Sequence, residues 1–529
     1  MGFMQRVGYA AAAIVLAFAL ATAFAQEPQH GGKLTVGIQY EPVTLDPHVT
    51  GQANARRMLH NIVDTLVYGD GDGNLHPWLA ESWEISDDGL EYTFYLRQGV
   101  TFHDGEPFNA AAVQFMWDRI MDPATASASA IAEMGPFVRS EIIDDYTIRA
   151  HLSRPSALWL RSMSSAAVAP VSPAAVEALG DRFGRAPVGT GPFMIVEWAD
   201  NQSLTVVRNP DYDWAPEVFG HSGPAYLEEI EFIFIPEAQV RLGTVETGET
   251  DIIEEVPPRF VAMIDASPDF NLISTPYSGS PLHYMVNTQE FPTDDVNVRR
   301  AIMHAVDTEA ITTSMYAGVV SPGNGPMSAN TLGSVPGIFR DHYAHDPESA
   351  AALLDEAGWT LGADGVRVKD GSRLQIVVNV LTDVPEYAEL GQVLQAQLGE
   401  VGMEVVLKPL ARSPWAASNN EGDYNMVGMG LWRNDPHMLS LLWRTGGSTF
   451  TWSHYSNPEF DAIVDEASQL TDIEERLALY AEAQEILVRD AVALPIYDQM
   501  NIMAANQSVQ GIIFDQSAFP FYHVTYLAD

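Results

Sequence analysis

The sequence predicts an α/β protein with mixed sheets, because strand patterns and helix patterns alternate along the chain in two blocks. With 529 residues, of which 47% are hydrophobic, the chain is long enough for several packing units. It contains no cysteine, so disulfides and thiol chemistry are both excluded. The stability must therefore come from a large apolar core.

The first 25 residues are predicted to be a cleaved export signal and not part of the fold. An apolar stretch ends in Ala23-Phe24-Ala25, the small-residue pattern of a cleavage site, and the polar segment QEPQHGG follows. The alternative is a membrane anchor, which needs about 20 apolar residues. We expect the mature chain to begin at Gln26 in a periplasmic or extracytoplasmic space. Because the chain has no cysteine to carry a lipid, a bacterial lipoprotein is excluded.

The net charge is strongly negative, at −43 from 27 basic and 70 acidic residues. Such a surface repels nucleic acid and anionic lipid, so no nucleic-acid partner is expected. The only lysines of the sequence are Lys33, Lys369 and Lys408. Salt adaptation or genomic bias explains this acidic composition better than a specific cationic partner.

The first block begins with strands and then contains two helix patterns. The β-branched segment KLTVGIQ predicts a strand, and the later segment LEYTFYLRQGVTF predicts a strand or hairpin. Helical spacing runs through ANARRMLHNIVDTLVY and through FNAAAVQFMWDRIM, with Asn109 as the N-cap of the latter. Three further strands are predicted after Pro187, in FMIVEWA, SLTVVRN and IEFIFI.

Helices dominate the second block, which begins at Asp294. Apolar residues recur at helical spacing in DVNVRRAIMHAVDTEAI and in IEERLALYAEAQEILV. Shorter helices are predicted in PESAAALLDEAGW, PEFDAIVDEASQL and MLSLLW, and strands in LQIVVNVL, MEVVLKPL and YNMVGMG.

Two glycine-rich motifs are interpreted as turns. The segment DGDGNLHPWLAE imitates a calcium loop, but Leu75 occupies the position where a sharp turn needs glycine. The segment VGTGPF lacks the Lys-Ser/Thr of a phosphate loop and precedes a strand. Neither an HExxH zinc motif nor a GxSxG nucleophile elbow occurs, so we expect no catalytic residue, no metal site and no cofactor.

The turn in GLWRNDPH is the strongest candidate for a binding site, although its residues also suit a surface loop. It places Trp432, Arg433, Asn434 and Asp435 between a strand end and a short helix. An aromatic face, a cation and an acid in one turn are the groups of a ligand wall.

Several long blocks, in order, resemble the family-5 extracellular solute-binding proteins of ABC importers, of the dipeptide- and oligopeptide-binding type. They are LHPWLAESWEISDDGLEYTFYLRQGVTFHDGEPFNAAAVQF, PVGTGPFMIVEW with LTVVRNPDYDW, IPEAQVRLGTVETGETDI, FPTDDVNVRRAIMHAVDTEAI, ESAAALLDEAGW, HYSNPEFDAIVDEA and AEAQEILVRDAVALPIY. The resemblance implies a large, class II-like two-lobed periplasmic-binding-protein fold with a subdomain inserted in lobe one. It also implies a monomeric, non-catalytic protein that engulfs a small solute or peptide by hinge closure and delivers it to a membrane permease.

By the same analogy the chain divides into six segments. They are a signal peptide at 1–25, lobe one at 26–51, 190–284 and 495–529, the inserted subdomain at 52–189, and lobe two at 285–494. The hinge is expected where the chain crosses between lobes, near His283 and Asn287 and near Leu494 and Tyr497.

The resemblance also raises the question of the solute. Peptide binders of this type hold the ligand's amine with an aspartate four residues before the proline of the cleft turn, where this chain has Trp432. Asp435 is available instead, or it is a structural cap for MLSLLW. Near the carboxylate anchor this chain has Asp383, Glu386 and Glu389, with Arg412 or Arg433 as substitutes.

We therefore expect a solute other than a general dipeptide, with an oligosaccharide, opine, glutathione or metal chelate as alternatives. A secreted hydrolase is the remote alternative from another class. The predicted ligand-binding residues are Tyr40, Arg412, Trp415, Trp432, Arg433, Asn434, Asp435 and Tyr497.

Overall fold

A computed structural model describes residues 28–71, 73–127, 129–382, 384–447 and 450–528. The signal peptide predicted for 1–25 lies outside the described residues. Within the described ranges, no helix has both the length and the apolar character needed to cross a membrane.

A seven-stranded mixed sheet forms from segments that are distant in the sequence. Its central strand, Lys33–Ile38, pairs in parallel with Glu229–Phe234 on one side and with Ile252–Ile253 on the other. The outer strands all pair antiparallel with their neighbours. In spatial order the strands are Phe270–Pro276, Met500–Asn506, Ile252–Ile253, Lys33–Ile38, Glu229–Phe234, Ser203–Arg208 and Phe193–Ala199.

A five-stranded mixed sheet forms the second unit. Gln375–Leu381 pairs in parallel with both of its neighbours, whereas Leu282–Val286 pairs antiparallel with both of its own. In spatial order the strands are Glu404–Leu410, Gln375–Leu381, Met426–Met429, Leu282–Val286 and Ala493–Tyr497. The expected α/β class with mixed sheets is confirmed.

A four-stranded antiparallel sheet lies within the segment expected to be the inserted subdomain. Its strands, in spatial order, are Ala80–Ile85, Glu91–Leu96, Thr147–Leu152 and Phe137–Asp144. Smaller sheets contain Val67–Gly69 with Leu75–Pro77, Thr360–Leu361 with Arg367–Lys369 and Ser372–Arg373, Val509–Gln510 with Tyr526–Leu527, and Ile513–Phe514 with Pro520–Phe521.

The helices cover the sheets and bury their apolar faces in separate cores. The α-helices of the described residues are Ala53–Leu59, Ala110–Met121, Ala130–Met134, Ala157–Ser162, Pro173–Leu179, Ala238–Thr247, Pro258–Asp265, Val296–Ala305, Thr308–Tyr316, Ile338–His342, Pro347–Glu356, Pro385–Glu400, Arg412–Glu421, Met438–Trp443, Pro458–Ala467 and Ile473–Arg489. Short 3-10 helices occupy Pro123–Thr125, Ala166–Val168, Gly180–Arg185 and Glu217–Phe219.

Most predicted elements are present, and two helix predictions were too long. Asn109 caps its helix as expected, since its side-chain oxygen accepts the N–H groups of Ala111 at 3.0 Å and Ala112 at 3.2 Å. The helix predicted from Ala53 ends at Leu59, because residues 61–63 turn to meet the loop that contains VGTGPF. The long helix predicted after Asp294 is two helices, because Asp307 caps a new one through the N–H of Ala310.

The chain passes twice between the two large sheets. One crossing, at 277–281, connects Phe270–Pro276 to Leu282–Val286, and the other, at 498–499, connects Ala493–Tyr497 to Met500–Asn506. His283 and Leu494 lie inside paired strands of the five-stranded sheet. One strand begins at Leu282 and its partner ends at Tyr497, so both residues lie within the paired region. The crossings therefore lie a few residues outside the segments expected for the hinge. Whether they act as a hinge, and where the lobes divide, stay predictions.

The glycines of VGTGPF are required by a close backbone contact. Gly191 donates its N–H to the carbonyl of Ile62 at 3.0 Å, and a Cβ placed on it would lie 2.5 Å from the backbone carbon of Ile62. The motif is therefore a turn pressed against residues 61–63, as the sequence predicted.

We predict that Gly191→Ala destabilises the protein by about 1–3 kcal/mol, because the added methyl group forces the two backbones apart. Gly243→Ala is the matched control, because a Cβ at this helical position meets nothing within 4 Å. The control should gain up to about 1 kcal/mol. Urea denaturation measures both, and equal midpoints would contradict the prediction.

A buried carboxylate without a cationic partner lies beside this turn. Asp64 accepts hydrogen bonds from the Trp214 indole at 2.8 Å, from the Thr190 hydroxyl at 3.0 Å and from the Tyr212 hydroxyl at 3.4 Å. Burial raises the pKa of Asp64 from 3.8 to about 7, and the three hydrogen bonds oppose that rise. The native state therefore retains a proton that the unfolded state loses at lower pH.

We predict that the contribution of Asp64 to stability falls as the pH rises from about 4 to about 7, because the native state retains this proton while the unfolded state loses it. Asp64→Asn should remove the part of this slope that Asp64 causes, on the order of 4 kcal/mol. The variant should keep the other contributions to the pH dependence: burial raises the pKa of Asp498 to about 6, and it lowers the pKa of four histidines to about 4, which acts in the opposite direction. Urea titrations at pH 4 and pH 8 test this, and parallel curves for the variant and the wild type would refute it.

Candidate functional site

A cavity of about 340 Å³ lies where segment 52–189, the C-terminal segment and the turn after Met426–Met429 meet. This volume is within the usual range for a small-molecule site. The lining residues are Arg56, His60, Ala132, Glu133, Gly135, Pro136, Arg154, Ser156, Leu158, Trp159, Arg161, Ser162, Ser164, Ser165, Ala166, Arg433, Asn434, Asp435, His437, Met438, Leu441, Ser468, Asp515, Gln516, Ser517 and Phe519.

Four arginines line this cavity in a chain that has a net charge of −43. Arg56 projects from the helix Ala53–Leu59 and donates from Nη2 to the Ser129 hydroxyl. Its Nε is buried and has no hydrogen-bond partner. Burial lowers the pKa of Arg56, with an opposing effect from Glu133, but an arginine remains charged at neutral pH.

Arg161 lies at the end of the helix Ala157–Ser162 and is only partly satisfied. Its Nη2 donates to the Gly73 carbonyl at 2.7 Å, and its Nε lies 3.7 Å from a carboxylate oxygen of Asp435. Among the described residues, the buried Nη1 has no hydrogen-bond partner. Because an unpaired buried donor is costly, Nη1 is a ready position for an anionic acceptor.

Arg433 enters the cavity from the turn that follows the strand Met426–Met429. Its backbone N–H donates to the Ser278 carbonyl at 3.0 Å, which fixes the turn against the crossing segment 277–281. Within the described ranges its guanidinium makes no hydrogen bond and no ion pair. Arg433 therefore has its full donor capacity available.

Two of the acids that line the cavity already have partners. Asp435 forms a bidentate ion pair with the buried Arg476. Nη1 of Arg476 donates to Oδ2 at 2.9 Å, and Nη2 donates to Oδ1. It also accepts the N–H of His437 at 2.8 Å. Asp515 lies 3.0 Å from the His60 ring nitrogen. The open hydrogen-bonding positions in the cavity are thus mainly cationic donors, which suits an anionic solute.

The structure brings together three of the predicted site residues, namely Arg433, Asn434 and Asp435. Asn434 donates to the Gln516 side chain at 3.5 Å, and its own Oδ1 is buried without a partner. Asp435 lines the cavity, and its carboxylate accepts the N–H of His437, the residue at the N-cap of the helix Met438–Trp443. Its role toward a solute stays a prediction.

Trp432 lies behind the cavity wall and outside the lining residues. It stacks on Tyr277 at 4.5 Å between ring centroids and packs against the cluster that contains Phe519. Phe519 does line the cavity, so Trp432 supports the wall through it. Direct stacking of Trp432 on a solute stays a prediction.

The other predicted residues lie away from this cavity. Tyr40 is 56% exposed, Trp415 is packed edge-on against Trp452, and the Tyr497 hydroxyl donates to Glu386 at 2.6 Å. Arg412, at the start of the helix Arg412–Glu421, is also outside the lining residues. Their roles in binding stay predictions.

The expected carboxylate-anchor region is likewise outside the cavity. Glu386 is occupied by the hydroxyls of Tyr316 and Tyr497, and Glu389 is exposed on the same helix. Asp383 lies outside the described residues. None of the described residues of this region lines the cavity.

The turn interpretation of DGDGNLHPWLAE is confirmed by the strand pairing around it. Val67–Gly69 pairs antiparallel with Leu75–Pro77, and Asp70 accepts the N–H of Asn74 at 2.7 Å and contacts the His76 ring at 2.8 Å. Among the residues described, no group of three or more acidic or histidine side chains is placed to hold a metal ion.

Sequence reasoning missed Arg56 and Arg161, which are central to the cavity. One signal was available for Arg56: two adjacent arginines interrupt an apolar helix in a chain with only 27 basic residues. Arg57 forms a buried ion pair with Glu254 at 2.5 Å, whereas Arg56 turns to the cavity. No local pattern marked Arg161, because its position depends on how distant segments pack.

Two large sheets, two crossings and a cavity between chain segments define the class as a two-lobed solute-binding protein. The family model for bacterial extracellular solute-binding proteins, family 5 (middle), matches residues 74–452. The chain therefore belongs to family 5 of these proteins, whose members serve ABC importers, as the resemblance implied.

Curated relatives and solved structures are similar over nearly the whole chain. The glutathione-binding protein GsiB of Shigella dysenteriae is 27% identical over 532 residues, with 98% of each chain covered. The heme-binding protein A of Haemophilus influenzae is 27% identical over 509 residues, with 91% of this chain and 88% of the relative covered. NikA from Brucella suis, solved with Fe(III)-EDTA, is 29% identical with a TM-score of 0.84, and the match covers 94% of this chain and 100% of NikA.

We predict that Asp435→Asn lowers the unfolding free energy by about 3–5 kcal/mol, because it leaves the buried Arg476 without a charged partner. The double variant Asp435→Asn/Arg476→Met should lose less than the single variant, since it removes both charges together. Chemical denaturation of the two variants and the wild type decides this. A single variant as stable as the wild type would show that the pair is not structural.

Proposed function

We propose that this protein is an exported solute-binding component of an ABC importer that captures an anionic, carboxylate-bearing solute. The observation that supports it best is the set of unpartnered guanidinium donors in the cavity, on Arg56, Arg161 and Arg433. Carboxylates accept two parallel hydrogen bonds from a planar guanidinium group, which gives both affinity and a fixed orientation.

A zwitterionic dipeptide is less suited to this cavity than a solute with an excess of negative charge. Its ammonium group needs a carboxylate once water is expelled. Of the three acids that line the cavity, Asp435 is paired with Arg476 and Asp515 contacts His60, so among the described residues Glu133 is the carboxylate left to meet an ammonium group. This argument supports the expectation that the protein is not a general dipeptide binder.

The names of the relatives agree with this solute class. Glutathione carries two carboxylates and one ammonium group, heme carries two propionates, and the Fe(III)-EDTA complex is an anion. These compounds differ in size and shape but share carboxylate oxygens with a net negative charge. The arginines of the cavity would recognise these carboxylate oxygens, and the proposal does not depend on which of the three compounds carries them.

The protein acts in this proposal as a monomer in the periplasmic or extracytoplasmic space, without a cofactor or a catalytic step. It binds the solute between the two lobes and presents the closed complex to the membrane permease. The relatives named above are all binding proteins, which supports a binding role.

We predict that titration of refolded, ligand-free protein with glutathione, hemin, Fe(III)-EDTA and the dipeptide Met-Leu yields tighter binding of at least one anion than of the dipeptide. Losing a charged hydrogen bond costs about 1.5–3 kcal/mol. Arg161→Gln should therefore weaken anion binding by roughly tenfold to a hundredfold. Calorimetry at low and high salt measures both effects.

Arg139→Gln is the matched control, because Arg139 is exposed on the strand Phe137–Asp144 and outside the cavity. It removes the same charge from the same part of the chain and should leave the affinity unchanged. Micromolar binding of Met-Leu with no binding of the three anions would overturn the proposal.

A further inference from the structure

The guanidinium of Arg161 is held between a backbone carbonyl and an acid. Its Nη2 donates to the Gly73 carbonyl at 2.7 Å, and its Nε lies 3.7 Å from Oδ2 of Asp435. Gly73 belongs to the turn DGDGN, which is closed because the Gly73 N–H donates to the Asp70 carbonyl at 3.1 Å. A separation of 3.7 Å is longer than a hydrogen bond, so Asp435 attracts Arg161 without being bonded to it.

Both oxygens of Asp435 are occupied by other donors. Arg476 donates from Nη1 to Oδ2 at 2.9 Å and from Nη2 to Oδ1, and the N–H of His437 donates to Oδ1 at 2.8 Å. A carboxylate and a guanidinium form their strongest contact through two parallel hydrogen bonds, and Arg476 takes both of these positions. The second arginine, Arg161, is therefore left with the longer contact.

Asp435 is the acid that competes most directly with a solute for Arg161. Burial lowers the pKa of Arg161, and among its charged neighbours Asp435 opposes this effect most strongly. Asp70 opposes it more weakly, and the Asp70 carboxylate already accepts the N–H of Asn74 at 2.7 Å and contacts the His76 ring at 2.8 Å.

Arg476 is fixed by its own helix and lies outside the cavity lining. It belongs to the helix Ile473–Arg489, and its side chain is buried. The guanidinium carbon lies 5.1 Å from the ring centre of Tyr480, which is four residues further along the helix. Two arginines thus share one aspartate, and of the two it is Arg161 that lines the cavity.

We propose that Arg476 is a positioning residue of the site. By holding both oxygens of Asp435, it prevents Asp435 from pairing with Arg161 and keeps the charge of Arg161 available to an anionic solute. Without Arg476, Asp435 is free to accept two hydrogen bonds from Nε and Nη2 of Arg161, which displaces the Gly73 carbonyl and neutralises the cation. The solute class rests on the proposed function, whereas the competition of two arginines for one aspartate does not.

A variant cycle measured by calorimetry with glutathione and Fe(III)-EDTA tests the effect on binding. Arg476→Met should weaken anion binding by about tenfold, the effect of losing one charged hydrogen bond. Arg161→Gln/Arg476→Met should bind no more weakly than Arg161→Gln alone, because the charge that Arg476 protects is already absent. Asp435→Asn/Arg476→Met should recover the affinity, since a neutral amide cannot neutralise Arg161 and still offers Oδ1 to the His437 N–H.

Arg367→Met is the matched control. Arg367 is also buried and ion-paired, with Asp355, and it lies outside the cavity lining. This variant should lose stability and keep the wild-type affinity, which separates a general effect of removing a buried arginine from the effect proposed for Arg476.

Nuclear magnetic resonance of the ligand-free protein tests the competition without any solute. The Nε–H signal of Arg161 is assigned by its absence in Arg161→Gln. It should shift in Arg476→Met, return in Asp435→Asn/Arg476→Met and stay in place in Arg367→Met. If no anion binds to the wild type, the proposed function fails, and this comparison still decides whether Arg476 keeps Asp435 away from Arg161.

Three results would overturn the inference. They are an unshifted Arg161 signal in Arg476→Met, additive losses of affinity in Arg161→Gln/Arg476→Met, and no recovery of affinity in Asp435→Asn/Arg476→Met. If Arg476→Met does not fold, the last variant decides alone, because it removes both charges of the buried pair together. An affinity as low as that of Arg161→Gln would then show that Arg476 acts in some way other than by holding Asp435.

Discussion

The buried ion pair between Arg57 and Glu254 is the interaction on which the arrangement of the site depends. It joins the helix Ala53–Leu59 to the end of the strand Ile252–Ile253, and the Tyr522 hydroxyl donates to the same carboxylate at 3.0 Å. A buried charge pair is strongly destabilised when one partner is removed. The pair therefore fixes the N-terminal helix, the C-terminal segment and, through the Tyr277 hydroxyl, one chain crossing.

This anchoring has a direct consequence for the neighbouring residue. Adjacent residues on a helix project in different directions, so Arg57 in the interior places Arg56 on the cavity side. One structural arginine thereby positions one arginine of the cavity wall. The same relationship occurs across the cavity, where Arg476 occupies Asp435 and leaves the neighbouring Arg433 open to a solute.

The pairing pattern also shows how the charge of a cavity can differ from the charge of the whole chain. The net charge of −43 is spread over the whole surface, whereas the cavity gathers four arginines of a chain that has few cations. Close contacts in a water-poor cleft outweigh distant surface charges that salt screens within about 10 Å. The overall charge therefore does not decide the charge of the cavity.

Local patterns were sufficient for most of the predicted helices and strands, but not for all helix ends, and together with ordered sequence blocks they were sufficient for the family. The β-branched residues of KLTVGIQ marked Lys33–Ile38, and the Asn109 cap marked its helix, because both signals depend on neighbours within a few residues. Local patterns predicted only part of the candidate site. The turn from Arg433 to Asp435 was found from its own composition, and the pairing of Asp435 with Arg476 was not, since 41 positions separate them in the chain.

The sequence by itself thus determined an α/β solute-binding protein of family 5, an interior without disulfides and a strongly acidic surface. Only the tertiary structure decided which charges are structural and which are available to a solute. Charge availability depends on partners that are distant in sequence, such as Glu254 for Arg57 and Arg476 for Asp435. A side chain's identity is local, but whether its charge is already paired is a property of the packed chain.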